Sequence, residues 1–94
     1  MIASLDDNIG ILMNYLEEAG QQENTLVFFI SDNGGAEDTH TTDNGRYAGG
    51  KNTEFEGGVK VPMIVRWKGI IPSGKRYQPM VSSMDIFPTA TNAA

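Results

Sequence analysis

Apolar residues follow two different patterns in the first third of the chain. Over residues 2–19 they recur at spacings of three and four, which places them on one face of a predicted amphipathic helix. Gly20 comes directly after this pattern, at the position where a glycine commonly ends a helix. Residues 26–30, Leu-Val-Phe-Phe-Ile, are a continuous apolar run. Such a run predicts a strand that is buried on both faces of a sheet.

The rest of the chain has fewer signals of regular structure. Residues 31–60 are rich in Gly, Asp, Asn and Thr, and a loop of this length is usually either functional or disordered. Residues 61–67 predict a second strand, and residues 85–94 predict the start of a helix that Asp85 would cap. Phe28, Phe29 and Trp67 are expected in the core.

These elements favour an α/β fold, although they are too few for a complete sheet. A strand buried on both faces needs a neighbouring strand on each side and helices above and below it. The pattern therefore predicts that residues 1–94 are a fragment of a larger three-layer α/β/α domain.

Composition excludes several classes of function. The 94 residues carry a net charge of −5, which argues against nucleic acid as a partner because phosphate binding needs clustered Lys and Arg. The absence of cysteine removes disulfides and thiolate chemistry. No apolar stretch approaches the roughly 20 residues of a membrane span, so no membrane partner is predicted. No signal peptide is visible, so a periplasmic or secreted location of a longer parent protein would depend on a segment upstream of residue 1.

The carboxyl end of the first strand carries candidate metal ligands. Ligands bind just beyond the carboxyl ends of strands in open α/β sheets, and here the strand runs into Asp32, Asn33 and two glycines. Carboxylate and amide oxygens suit Ca²⁺ or Mg²⁺. The simpler alternative is a turn in which both side chains bond to their own backbone.

A second candidate site lies around Lys51, which directly follows Gly49 and Gly50. The glycines leave room for an approaching anion, and a lysine ammonium is a compact charge suited to one sulfate or phosphate oxygen. The surrounding loop is acidic, however, and would repel an anionic substrate. A divalent cation at the strand end would remove that objection.

Taken together, these segments resemble the later part of the catalytic domain of the type I sulfatases, which belong to the alkaline phosphatase superfamily. The resemblance rests on the joint spacing of several short motifs along the whole chain. They are Leu5-Asp6-Asp7-Asn8-Ile9-Gly10, Ser31-Asp32-Asn33-Gly34, Gly49-Gly50-Lys51, Glu56-Gly57-Gly58-Val59-Lys60-Val61-Pro62 and Asp85-Ile86-Phe87-Pro88-Thr89.

The resemblance implies a role for each candidate residue. Asp32 and Asn33 would be two of the family's calcium or magnesium ligands, and Lys51 would be the catalytic lysine that contacts the sulfate group. The family's nucleophile is a formylglycine made from Cys or Ser in a Cys/Ser-x-Pro/Ala-x-Arg motif, which this chain does not contain. The formylglycine is expected upstream of residue 1. The substrate would be a sulfated small molecule or a sulfated glycan, and the fragment alone is predicted to be inactive.

Three further residues in the loop have polar roles that the sequence leaves open. His40, the only histidine, either reaches the substrate or leaving group or is a solvated loop residue. Arg46 either helps to bind an anion or pairs with Asp43. Glu56 is either catalytic or, as we expect, accepts hydrogen bonds from the backbone of the glycine-rich loop.

Two alternatives to a sulfatase follow from the same sequence. A phosphodiesterase or phosphonate hydrolase of the same superfamily would use an unmodified Thr or Ser as its nucleophile. A fragment with an unpaired strand exposes free backbone N–H and C=O groups, so the chain would instead be a non-catalytic module that self-associates through its edges.

Overall fold

The chain alternates helices with two short strands. The computed structural model describes all residues from 1 to 94. The elements are helix α1 (Ile2–Glu18), strand β1 (Val27–Ile30), the single turn α2 (Glu56–Val59), strand β2 (Met63–Arg66) and helix α3 (Ile86–Ala93), with 3₁₀ turns at Glu37–Thr39 and Ser83–Asp85. The two strands pair as a two-stranded sheet. No helix has the length and apolar character that a membrane crossing requires.

Contacts divide the chain into two compact units. The first combines Met1–Val27 with Val65–Ala94, and the second is the continuous segment Phe28–Ile64. The second unit contains all the candidate site residues, which are Asp32, Asn33, His40 and Lys51.

Helix α1 ends at the glycine that the pattern indicated. Gly20 has a positive φ of 66°. Its N–H donates to Glu17 O at 2.9 Å, and the N–H of Gln21 donates to Leu16 O at 2.8 Å. This pair of bonds is a Schellman motif, which satisfies the last carbonyls of a helix. The amides of Gly20 and Gln21 fold back onto the carbonyls of Glu17 and Leu16. The helix therefore ends at Glu18, one residue before the predicted limit of 19.

The connection after α1 is tied to the end of β2 inside the first unit. The indole Nε1 of Trp67 donates to Glu23 O at 2.8 Å, and Nη2 of Arg66 donates to Oε1 of Gln22 at 3.2 Å. The other terminal nitrogen of Arg66, Nη1, is buried without a hydrogen-bond partner in the chain. Trp67 is half-buried, so the expectation that it lies in a core is only partly met.

The expected burial of the first strand on both faces is wrong for this chain. No hydrophobic residue is fully buried, and Phe29 in β1 and Ile64 in β2 are 43% and 61% exposed. Phe28 is half-buried. The physical reason is that two strands give each strand only one neighbour, and the chain supplies too little apolar surface to cover both faces.

Asp85 does not cap α3 in the expected way. Its Oδ2 accepts the N–H of Ser82 at 2.8 Å, while Oγ of Ser82 accepts the N–H of Met84 at 3.2 Å. These reciprocal bonds form a capping box around the 3₁₀ turn that precedes the helix. Ser82 therefore caps the 3₁₀ turn that begins at Ser83, while Asp85 occupies the N-cap position of α3 without a side-chain cap bond.

Glycine backbone replaces an apolar core in the second unit. The buried residues of the chain are Gly34, Gly50, Gly57 and Gly58, which we call the glycine core. A Cβ on Gly34 would collide with the carbonyl oxygen of Gly57, and one on Gly50 with that of Gly35. Three stretches of backbone thus approach one another at distances that no side chain would permit.

We expect Gly57→Ala to open this packing, because its Cβ would run into the carbonyl oxygen of Gly49. Overpacking of this kind costs about 1–3 kcal/mol. The N–H of Gly57 donates to Ala48 O at 2.8 Å, and that of Gly34 to Gly58 O at 2.9 Å. Both amides should lose protection from hydrogen exchange, by about tenfold for each 1.36 kcal/mol.

Gly10→Ala is the matched control, because a Cβ at Gly10 in α1 meets nothing within 4 Å. It should leave the amides of the glycine core unchanged and strengthen α1 by up to about 1 kcal/mol. If the amide of Gly34 exchanges equally slowly in Gly57→Ala and in the unchanged chain, the close backbone packing of the glycine core is contradicted.

Candidate active site

The two predicted metal ligands follow β1 directly. The carboxylate of Asp32 is exposed, and Asn33 is half-buried. The amide nitrogen of Asn33 donates to Gly34 O at 2.8 Å. This bond fixes the side chain and leaves its amide oxygen, the atom that binds hard cations, free for another partner.

Lys51 is drawn to the same strand end through its backbone. Its N–H donates to Gly35 O at 3.0 Å, which places it against a residue three positions after Asp32. The contact depends on Gly50, because any side chain there would strike the same carbonyl oxygen. The side chain of Lys51 is exposed. The structure therefore joins the segment that carries Lys51 to the segment that carries Asp32 and Asn33.

Asn44 bridges these two segments with its side chain. Its Oδ1 accepts the N–H of Gly35 at 3.0 Å, and its Nδ2 donates to Gly35 O at 3.0 Å and to Gly49 O at 3.1 Å. The opposite orientation of the amide would set N–H against N–H and oxygen against two carbonyls, so these partners fix its assignment. The backbone N–H of Asn44 donates in turn to Oε1 of Glu37 at 2.8 Å.

The lysine segment is closed by a short turn of its own. The backbone N–H and Oγ1 of Thr53 both donate to Gly50 O, at 3.0 and 2.8 Å. Between them, Asn52 has a positive φ of 72°. Lys51 is thus held in a tight turn whose two ends are both bonded.

His40 stands apart from these contacts. It has a φ of 55° and ends the 3₁₀ turn Glu37–Thr39, with its N–H donating to Glu37 O at 2.9 Å. Its side chain is exposed, and no hydrogen bond joins it to Asp32, Asn33 or Lys51. The structure therefore links His40 to none of the other predicted site residues by a hydrogen bond.

The structure contradicts the expectation for Glu56 and one of the two alternatives for Arg46. Glu56 does not hold the backbone; its Oε1 pairs with Nζ of Lys60 at 2.6 Å, because the two are four residues apart across the turn of α2. Arg46 does not pair with Asp43, whose Oδ1 accepts the N–H of Gly45 at 2.6 Å. Arg46 turns instead to its neighbour Tyr47.

Tyr47 lies close to two cations. Nη2 of Arg46 donates to the hydroxyl of Tyr47 at 3.2 Å, and its guanidinium carbon lies 5.2 Å from the ring centroid. Nζ of Lys60 lies 4.9 Å from the same centroid. The bond from Arg46, then the positive charges of Arg46 and Lys60, lower the pKa of Tyr47 below its ordinary value of 10.0. The hydrogen bond with Lys60 likewise lowers the pKa of Glu56.

The donors at the strand end fit only part of a divalent cation site. Asp32 and Asn33 offer oxygen atoms of the type that Ca²⁺ and Mg²⁺ prefer, but Ca²⁺ takes about 6–8 oxygen ligands. The chain gathers no group of three or more His, Cys, Asp or Glu side chains that would hold a metal. The remaining ligands would have to come from elsewhere.

Sequence reasoning overlooked Asn44 and Tyr47. The signal for Asn44 was its position between two glycine pairs, nine residues after Gly35 and five before Gly49. Where two glycine pairs come close, their backbone N–H and C=O groups need hydrogen-bond partners. A short amide side chain can donate to the carbonyl groups and accept from the N–H at the same time. Tyr47 had no comparable signal, because its environment comes from the fold of the loop.

Comparison with known proteins identifies the family. The sulfatase family model matches residues 1–94. Human steryl-sulfatase is 36% identical over 100 residues, and canine N-acetylgalactosamine-6-sulfatase is 38% identical over 96 residues. The chain belongs to the sulfatase family. In both comparisons 99% of this sulfatase chain is aligned, with 17% and 18% of the relative, so the chain spans about one sixth of their length.

A solved structure supports the same assignment for the fold. The crystal structure of Ps i-CgsB in complex with k-i-k-neocarrahexaose is 36% identical, with a TM-score of 0.92. The match covers 99% of this sulfatase chain and 20% of the other. The α/β fold class expected from the sequence is confirmed.

We expect the phenol of Tyr47 to lose its proton below pH 10, because both neighbouring cations favour the phenolate. The measurement is the ultraviolet absorbance of the phenolate during a pH titration, from which the titration of Tyr47→Phe is subtracted. Arg46→Met should raise the midpoint, since it removes the hydrogen bond and one charge. Arg76→Met, which changes an exposed arginine in the other unit, should not. A midpoint that Arg46→Met leaves unchanged would contradict the assignment.

Proposed function

We propose that this chain forms one side of the active site of a sulfatase that hydrolyses sulfate esters. The observation that carries the proposal is the hydrogen bond from the N–H of Lys51 to Gly35 O, which holds the lysine segment against the strand end that bears Asp32 and Asn33. In a sulfatase this arrangement would present a cation and an ammonium to one sulfate group.

Each residue has a distinct electrostatic task in this proposal. The carboxylate of Asp32 and the amide oxygen of Asn33 would hold a divalent cation, Ca²⁺ or Mg²⁺, together with ligands from outside this chain. The bound metal would neutralise charge on the sulfate oxygens. The ammonium of Lys51 would contact another sulfate oxygen as a point charge and stabilise the charge that develops there. The formylglycine nucleophile would likewise lie outside residues 1–94.

We further propose that residues 1–94 are part of a longer catalytic domain. Two observations support this. The large apolar side chains Phe29 and Ile64 on the strands are exposed, and Nη1 of Arg66 is buried without an acceptor in the chain. Buried polar atoms are normally hydrogen-bonded, and strands of α/β folds are normally covered. Further strands and helices of a sulfatase domain would satisfy both requirements.

The substrate class is a sulfate ester on a small molecule or a glycan. The two named relatives are described as a steryl-sulfatase and an N-acetylgalactosamine-6-sulfatase, and the structural neighbour holds a neocarrahexaose. These descriptions support a sulfate ester, whereas the choice between an alcohol and a sugar would depend on residues outside this chain.

We expect Lys51→Met in the protein that contains this chain to lower kcat/KM for an aryl sulfate by about 10²–10³, the usual cost of removing one donor from a charge-stabilising site. The control is Lys75→Met, an exposed lysine in the other unit, which should leave the rate unchanged. Full turnover in Lys51→Met would refute the role of Lys51.

We expect the isolated 94-residue chain to show no turnover of an aryl sulfate and to bind Ca²⁺ more weakly than the ~10⁻³ M limit of the weakest protein Ca²⁺ sites, because it holds only two of the ligands. Titration calorimetry measures the affinity. Asp32→Ala should remove whatever binding remains, and Asp38→Ala, an exposed carboxylate in the same loop, should not. Tight stoichiometric binding of Ca²⁺, or measurable turnover, would contradict the proposal that the other ligands and the nucleophile lie outside residues 1–94.

A further inference from the structure

The carbonyl oxygen of Gly35 is the meeting point of the two segments that carry the site. It accepts the N–H of Lys51 at 3.0 Å, the N–H of Glu37 at 3.1 Å and Nδ2 of Asn44 at 3.0 Å. Of these three donors, only Nδ2 of Asn44 also bonds to a second carbonyl oxygen, that of Gly49 at 3.1 Å. One carboxamide therefore spans the gap between Gly35 and Gly49.

We propose that Asn44 is a positioning residue that sets the distance between the metal ligands Asp32 and Asn33 and the sulfate-binding Lys51. The inference rests on the function proposed above. Gly35 follows Asn33 by two residues, and Gly49 precedes Lys51 by two. A side chain bonded to both glycines fixes the separation of the two functional groups without touching metal or substrate.

The chemistry of the contact requires an asparagine. The side chain must accept one hydrogen bond, from the N–H of Gly35, and donate two, to Gly35 O and Gly49 O. Aspartate would keep the acceptor but lose both donors and would face the two carbonyl oxygens with a negative charge. Serine is too short to bond on both sides, and glutamine would shift the amide by one methylene.

The backbone of Asn44 is itself held by a hydrogen bond to Glu37. Its backbone N–H donates to Oε1 of Glu37 at 2.8 Å, and the side chain is half-buried. The bridge is thus oriented by a second bond, as is common for groups that orient ligand-bearing residues. Other contacts between the segments, such as Gly34 N–H to Gly58 O and Gly57 N–H to Ala48 O, do not involve Asn44 or the groups that it bonds. These contacts should preserve the fold of the loop when Asn44 is changed. The change should therefore alter the separation of Lys51 from Asp32 and Asn33 without unfolding the loop.

The test is a double-mutant cycle in the protein that contains this chain. Asn44→Ala should lower kcat/KM for an aryl sulfate by about 10- to 100-fold, the range typical of residues that orient ligands. In a Lys51→Met background the same change should cost less than about threefold, because a lysine that is absent cannot be misplaced. Asn44→Asp should resemble Asn44→Ala, and Asn24→Ala, an exposed asparagine in the other unit, should have no effect.

Two further measurements do not depend on turnover. The apparent Kd for Ca²⁺, measured by calorimetry, should rise about tenfold in Asn44→Ala. Hydrogen exchange at the amides of Gly35 and Lys51 should accelerate in Asn44→Ala, while the amide of Gly57 keeps its protection. A loss of protection at all three amides would mean that Asn44 is only a folding residue and would overturn the inference.

The outcomes separate this inference from the proposed function. If Lys51→Met lowers the rate while Asn44→Ala leaves both the rate and the Ca²⁺ affinity unchanged, the positioning role is wrong and the sulfatase site stands. If the two changes multiply in the double mutant, Asn44 does not act through Lys51, and the inference fails. If Lys51→Met has no effect on turnover, the proposed function fails and the positioning role fails with it.

Discussion

The contact between backbone and backbone in the glycine core is the constraint on which the candidate site depends. Gly34 and Gly50 lie so close to the carbonyl oxygens of Gly57 and Gly35 that any Cβ would prevent the approach. This proximity allows the N–H of Gly34 to reach Gly58 O and that of Lys51 to reach Gly35 O. The segments that carry Lys51 and the proposed metal ligands come together because three stretches of chain meet where there are no side chains.

A core of this kind specifies structure differently from an apolar one. Hydrophobic burial is non-directional and tolerates some repacking, whereas a backbone N–H must meet an acceptor within a narrow range of distance and angle. The bonds of Asn44 add the same type of restraint from a side chain. The proposed site would benefit from such directional contacts, since preorganised groups need no rearrangement when charge develops.

Much of the fold could be predicted from local sequence because the relevant signals are local. The periodicity of residues 2–19 and the glycine after it correspond to α1 (Ile2–Glu18) and its Schellman motif, and the apolar run contains β1 (Val27–Ile30). Burial of that strand was predicted wrongly, because burial depends on neighbours that residues 1–94 do not supply. Asp85 lies at the N-cap position of α3 as predicted, but its carboxylate bonds back to the N–H of Ser82, because a 3₁₀ turn already begins at Ser83.

The residue types of the candidate site could be predicted from the sequence. The contacts that arrange those residues in space could be predicted less well. Asp32, Asn33 and Lys51 were named from their chemistry and spacing, and the structure adds the backbone bond that joins their segments. Asn44 and the pairing of Glu56 with Lys60 were missed, because both result from contacts that form only when the loop closes. Residues that touch a ligand have recognisable chemistry, whereas residues that hold them often do not.

The scarcity of apolar burial around the glycine core also has a thermal consequence. The large heat capacity change of unfolding comes from apolar surface that becomes hydrated, while exposure of polar groups changes the heat capacity in the opposite sense. A loop held by amide–carbonyl bonds between glycines therefore contributes little of the curvature that weakens hydrophobic cores on cooling. The candidate site should keep its geometry in the cold better than an apolar core of similar size would.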